Sequence, residues 1–353
     1  MGEQKSTTYG WTYDPVGRLT DEVINHWDNA IDQTELFTYD LTGNRLQLDR
    51  DHGNDGADQT ITYEYDANDR LLEEVLDDLV NNGNDTTTTY GYDHTQQTSK
   101  TVAATSTLAT LSAQHFTFNL QGRIGTVINE GFTSGTLSSR ERTSYEYSSG
   151  SYRVALVNEV DSALNGTYTL TSSTEFLADI RNFTGYAQTV RETTVNTDGT
   201  SKTIDYTFGQ DEIAQRTVQR DDVGTITSDE TLVFGHDGHG SVRVLYDVAI
   251  TVADVIDQIA TFAAYGQTLA VHAANAALAG TGEAAFKSNL GYSGEQWDSA
   301  LRMQNLRARP YDPRTGRFIG LDPSPATCKT RKACTNMRMC MAILFRGWIQ
   351  VVS

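Results

Sequence analysis

Cysteine is nearly missing from this chain of 353 residues, and the three that occur, Cys328, Cys334 and Cys340, are crowded into its end. No disulfide framework can therefore hold the body of the protein. An even spacing of six fits no familiar zinc pattern, and three thiolates leave a tetrahedral site one ligand short. Proline is scarce, at 5 residues. Basic residues are in deficit, with 27 Lys and Arg against 46 Asp and Glu and a formal net charge of −19. A phosphate backbone is repelled by such a chain, which excludes nucleic acid as a partner. There is no apolar run long enough to span a bilayer, and residues 1–20 lack the basic start and apolar stretch of a secretion signal. No Ser-His-Asp, phosphate-loop or dinucleotide-binding signature points to a separate substrate or to a cofactor.

What is present is a metre. The dipeptides Tyr13-Asp14, Tyr39-Asp40, Tyr65-Asp66 and Tyr92-Asp93 lie 26, 26 and 27 residues apart, and the degenerate Phe118-Asn119 follows after 26 more. Repetition of that length signals a stacked supersecondary unit. Aromatic and β-branched residues alternate up to each dipeptide, as in Ile61, Tyr63 and Tyr65, which is the period of a strand with one buried face. A turn follows at once: Asp14-Pro15-Val16-Gly17 has the chemistry of a type I turn. The chain leaves through a second alternating run before a polar return at 51–58 or 81–85. One repeat is thus one β-hairpin plus a return loop, and hairpins that are marginal alone must pair edges with their neighbours. After 118 the period drifts through a Thr/Ser-rich stretch, with an altered repeat at Tyr206-Thr207-Phe208. Segment 252–286, rich in Ala, reads as one or two short helices or an insertion around Ala273–Ala279.

The Tyr-Asp-x-x-Gly-Arg repeats, the stretch HDGHGSVRVL from His236 and the stretch LRARPYDPRTGRFIGLDP from Leu306 resemble the rearrangement-hotspot (RHS), or YD-repeat, family. Its members include bacterial polymorphic toxins, encapsulating subunits of insecticidal toxin complexes, and animal teneurins. The resemblance covers roughly 9–323. It implies a mainly β fold with few short helices, in which hairpins stack into a curved, spiralling sheet, part of a hollow shell. It also implies three segments: repeats over 1–233, a repeat-associated core domain over 234–323, and a tail over 324–353.

Family members carry an aspartyl autoprotease in the core domain, and two nearby carboxylates sharing a proton can activate water against a peptide bond. By position in the motif, Asp298 and Asp312 match that pair. Three departures weigh against activity here. Trp297 stands where relatives often have a basic or polar residue, and Pro310 replaces a Tyr. Arg302 replaces a Gly, and an Arg does not easily take a positive φ. His236-Asp237-Gly238-His239 offers metal-ligand chemistry but reads better as a turn. The run Asp49–Asp58 has the carboxylate and glycine density of a calcium loop without the bidentate Glu at its far end. No metal and no cofactor are expected.

After Pro323 the composition breaks, with basic residues and all the cysteines together. One base restored ahead of the codons for Ser324 permits a frame resembling the family's continuation, so the tail is expected to be a disordered frameshift product in which Trp348–Val352 has no selected partner. The leading expectation is structural: a non-catalytic fragment of a shell whose intact parent, secreted or on the cell surface, encloses and delivers its own C-terminal toxin domain through a secretion apparatus. This fragment, without a signal of its own, would stay in the cytoplasm. The alternatives are a surface module binding glycans or cell-wall polymers through exposed Tyr and Trp, and self-cleavage by Asp298 and Asp312.

Overall fold

The computed structural model describes residues 6–53, 58–94, 96–182, 185, 187–249, 256–273, 280, 282–307, 309–320 and 349–352. The chain divides into two compact units, Met1–Ala113 with Gly131–Thr136 and Cys328–Ser353, and Gln114–Glu130 with Leu137–Thr327. In the first, strands β1 (Ser6–Tyr13), β2 (Leu19–Asn25), β3 (Gln33–Tyr39), β4 (Arg45–His52), β5 (Gln59–Tyr65), β6 (Leu71–Asp78), β7 (Thr86–Asp93) and β8 (Gln96–Ala104) each pair antiparallel with the next. The expected mainly β chain of paired hairpins is what the structure contains.

The tyrosine-tipped turn is one object used many times. The N–H of Gly17 bonds the carbonyl of Asp14 at 2.9 Å, and the N–H of Asp14 bonds the carbonyl of Arg18 at 2.9 Å. The same two bonds recur at Asp40, Asp66, Asn119, Ser148, Asn196, Asp221, Asp237 and Ala263. The fourth residue of each turn has positive φ: +84° at Gly17, +60° at Asp69, +66° at Ser151, +89° at Gly266. That is a type I turn closed by a left-handed residue, which is why Gly stands there in most copies. Beside these turns the ladder slips by one residue, at Tyr13, Tyr39, Tyr65, Tyr147, His236 and Phe262 among others. A bulge at a fixed place in successive hairpins adds twist in the same sense each time.

Side chains explain the Asp and the Arg of the motif. Asp14 accepts from the N–H groups of Val16 and Arg18 at 3.0 and 2.9 Å and from Arg18 Nε. The other end of that guanidinium donates to the carbonyl of Asp40 at 2.7 Å and lies 5.0 Å from the Tyr39 ring centre. Arg70 repeats this, bonding Asp66, the carbonyl of His94 and the face of Tyr92. Asn44 substitutes for Arg and reaches Asp69 Oδ1 at 2.7 Å. Each of these three turns is thus braced internally and tied to the next.

These bonds hold carboxyls below their ordinary range. At Asp14 the Arg18 N–H leads, with the Arg18 guanidinium and the Val16 N–H adding to it. At Asp40 and Asp66 partial burial pushes upward and is outweighed, by Thr42 and Asn44 at the first and by Arg70 at the second. Depressed folded values stabilise the protein above the unfolded value of 3.8 and lose that contribution as pH falls through them. Acid titration of tryptophan fluorescence is expected to show steep loss of structure below about pH 4, and Asp66→Asn to blunt it. An unchanged acid profile in that variant would refute this account of the turns.

One face of the first unit carries a polar row, buried at Glu22, Glu35 and Asp78. The register aligns Trp11, Glu22, Glu35, Arg50, Gln59 and Asp78 across consecutive strands. Trp11 Nε1 donates to Glu22 at 2.9 Å, and Arg50 Nε to Glu35 at 2.8 Å. Ile24, Phe37 and Leu48, two residues along, are buried and apolar.

In the second unit β11 (Thr136–Tyr147), β12 (Arg153–Val160), β13 (Thr169–Asp179), β14 (Gln188–Asn196), β15 (Ser201–Phe208), β16 (Glu212–Arg220), β17 (Ile226–His236), β18 (Val242–Asp247), β19 (Ile256–Phe262) and β20 (Thr268–Ala273) continue the same nearest-neighbour pairing. The anticipated boundary at 233/234 falls inside β17. The Ala-rich stretch is described only in part, and the place expected to hold a short helix or an insertion, 274–279, lies outside that part. Within it Ile256–Ala273 is a hairpin, and a 3₁₀ turn stands at Glu283–Ala285. Ala260, Phe262, Ala270 and Val271 are buried, and packing overrides the helical preference of Ala.

Most of the tail also lies outside the described residues, but Ile349–Val352, expected to have no selected partner, forms β25 antiparallel to β1, Ser6 facing Val352. An exposed strand edge will accept any extended apolar segment, selected or not.

A second, smaller sheet follows the meander: β21 (Gln296–Asp298), β22 (Met303–Leu306), β23 (Arg309–Asp312) and β24 (Arg317–Phe318). It brings Leu301, Met303 and Ile319 into one buried cluster with Phe116, Ile124, Val127 and Tyr145. Phe116 belongs to β9 (Thr110–Phe118), and Ile124 and Val127 to β10 (Ile124–Thr133). The segment Leu301–Ile319 is therefore fastened to repeat hairpins by its own apolar residues.

Candidate functional site

Asp298 ends β21 and holds the turn that follows. Its Oδ1 accepts from the N–H groups of Ala300 at 3.1 Å and Leu301 at 3.0 Å and from the Tyr145 hydroxyl at 3.0 Å. Its Oδ2 is ion-paired with Arg153, with both side chains almost wholly buried. Arg153 also donates to Gln296 Oε1 at 2.9 Å and lies 4.4 Å from the Phe176 ring centre. Burial opposes the arginine's charge, but Asp298 leads the groups that outweigh it and raise its pKa. Burial, then Asp298, pushes the Tyr145 phenol up, so that it stays a donor.

The network extends further. Glu192 accepts from Tyr206 Oη at 2.8 Å, Gln296 Nε2 at 2.6 Å and Asn289 Nδ2 at 3.0 Å. Sequence reading singled out none of Tyr145, Arg153 or Glu192. The available signal was an isolated Arg in a Thr/Ser-rich stretch, one residue beyond the turn that opens at Ser148.

Asp312 ends β23 and faces Arg317 across the ladder. Its Oδ1 accepts from Arg314 N and Nε, both at 3.0 Å, its Oδ2 from Arg314 Nη2 at 2.8 Å, and its carbonyl from Gly316 N at 2.9 Å. Gln304 faces both Trp297 and Tyr311, and Asp298 faces Met303. Continued by one residue, this register sets Met303 between the two aspartates. They stand on one face of the small sheet, two strands and about 10 Å apart along the backbone. Here each is matched with an arginine of its own, and both brace turns.

Arg302 does occupy the left-handed region, at φ +56°. Its N–H closes the turn on the carbonyl of Asp298 at 2.8 Å. The strain of about 1–2 kcal/mol exceeds the 0.4–1 kcal/mol that Gly would return to the unfolded chain. Arg302→Gly is therefore expected to stabilise the protein by about 0.5–1 kcal/mol in urea unfolding. A loss of stability would show that the side chain contributes more than its backbone costs.

The stretch from His236 is a copy of the repeat turn. Asp237 accepts from His239 N at 2.9 Å, Ser241 N at 3.0 Å and Arg243 Nε at 2.6 Å, as Asp14 does with Val16 and Arg18. His239 packs on Tyr292 with ring centres 5.2 Å apart, and burial lowers its pKa. Asp49 is bonded to Gln47 and Thr60, and Asp58 to His52, while residues 54–57 lie outside the described residues. Among the described residues no three His, Cys, Asp or Glu side chains converge, and no helix is long and apolar enough to cross a membrane.

No protein-family model matches the chain, and no curated protein does. Among solved structures it is similar to the crystal structure of TcdB2-TccC3-TEV, at a TM-score of 0.45 and 18% identity over 94% of this chain. It is similar also to TcdB2-TccC3-Cdc42, at 0.44 and 17% over 95%, and to the Tc holotoxin pore of Photorhabdus luminescens, at 0.45 and 17% over 95%. The chain spans 18%, 18% and 17% of the length of those three chains.

Proposed function

We propose that this chain is a stretch of RHS-type shell wall whose intact parent encloses a C-terminal toxin domain and hands it to a secretion apparatus. The observation that carries the reading is the transfer of one side chain from turn to turn. Arg18 ties its own turn to Asp40, Asn44 ties the next to Asp69, Arg70 reaches His94, and Arg123 donates to the carbonyl of Arg307 in the motif segment at 2.9 Å. Such bracing supports a wall that extends by adding hairpins, with the core motif fastened to it. It performs no turnover.

Resequencing the DNA around the codons for Asp322 to Thr327, with its flanks, tests the proposal. An uninterrupted upstream wall and, once a base is restored, a downstream toxin with an adjacent immunity gene are expected; finding neither would overturn it. Self-cleavage is outside this reading, because Asp298 and Asp312 are each held by an arginine and a turn. Mass spectrometry of the purified protein is expected to show an intact chain. A cut near 323–330 that Asp312→Asn abolishes would establish aspartyl autoproteolysis instead.

A further inference from the structure

Strands β11 to β13 and the turn from Asp298 to Arg302 border an open cavity of about 330 Å³. Its floor is a ladder of small polar side chains, Thr143 facing Asn158 and Asn158 facing Ser172. Thr143 Oγ1 donates to Asn158 Oδ1 at 2.7 Å, and Asn158 Nδ2 donates to Ser172 Oγ at 3.0 Å. The ladder uses Ser172 as an acceptor, which leaves its hydroxyl proton available to a ligand. Arg142, also at the cavity, is committed to Glu159 at 2.7 and 2.9 Å and to the face of Tyr168. Arg302 is exposed at the rim, and among the described residues its guanidinium has no hydrogen bond or ion pair.

The cavity thus combines one uncommitted cation with a row of hydroxyl and amide groups. A free guanidinium selects a carboxylate, and the ladder selects hydroxyls that both give and accept hydrogen bonds. Glu141 on the same lining disfavours a second negative charge and accepts from a hydroxyl. The volume is at the low end for small-ligand sites, the size of one or two sugar rings. We propose that this cavity binds a singly carboxylated sugar, a hexuronic acid unit of a glycan. The proposal stands on the cavity and does not rest on the shell reading.

Ligand-observed NMR titration of the full chain with methyl glucuronide, methyl glucoside and acetate tests it. Saturable binding of the glucuronide is expected, about tenfold tighter than the glucoside, the value of one charge-assisted bond. Arg302→Gly, which relieves a strained backbone and so keeps the fold, should reduce the glucuronide to the glucoside's level. No saturable response to the glucuronide, acetate binding equally well, or an unaffected Arg302→Gly variant would each overturn the site.

Discussion

Replacing Arg153 with methionine is expected to destabilise the second unit by about 3–5 kcal/mol, the cost of stranding a buried charge. Asp298 would keep its bonds to Tyr145, Ala300 and Leu301 but lose the only guanidinium among its described partners. Asp298→Asn alone keeps an oxygen for the turn, and in combination with Arg153→Met it removes the stranded charge. The double variant should therefore recover most of the loss, a coupling that a double-mutant cycle measures directly. Hydrogen exchange at the Leu301 and Arg302 amides gives the local readout, since both bond Asp298. Equal exchange in the single and double variants would show that Arg153 acts through its stem packed on Phe176 and not through its charge.

The hairpin repeat was legible because its determinants are local. A strand alternates side chains with period two, and Asp, Pro and Gly each leave a mark on a turn. Where the marks fade, the geometry persists: Ser148, Asn196 and Ala263 open turns with the same two backbone bonds as Asp14. Those turns need only a residue that tolerates positive φ at the fourth place, a weaker demand than the full motif. Composition is a weaker guide at Ile256–Ala273, where the helical preference of Ala is overridden because small side chains fit a tightly packed sheet.

The aspartates were located by motif, but their surroundings were not. Asp298 is 145 residues from Arg153 and 153 from Tyr145, and nothing in either local sequence marks the pairing. The same holds for Glu192, 104 residues from Gln296. The reach of Arg18 to Asp40 was closer to hand, since an Arg four residues after the capping Asp recurs with the period. What the periodic sequence could not say is that the guanidinium points forward to the next turn.

Arg50→Met should produce the second large effect, about 3 kcal/mol in urea unfolding of the first unit. The reason lies in the register. Glu22 faces Glu35 directly across β2 and β3, with exposures of 1% and 3%, and like charges set opposite each other in a sheet repel. Arg50, facing Glu35 from β4, neutralises that carboxylate at 2.7 Å and reaches Gln59 on β5 at 3.3 Å. Its removal leaves two opposed buried acids. Arg50→Met with Glu35→Gln removes the excess charge, keeps the volume and should restore most of the stability. Urea is the suitable denaturant, since it leaves ionic strength unchanged and does not screen the charges at issue. If the double variant were as unstable as Arg50→Met alone, the loss would belong to the arginine stem and its contacts, and the polar row would be a packing feature only.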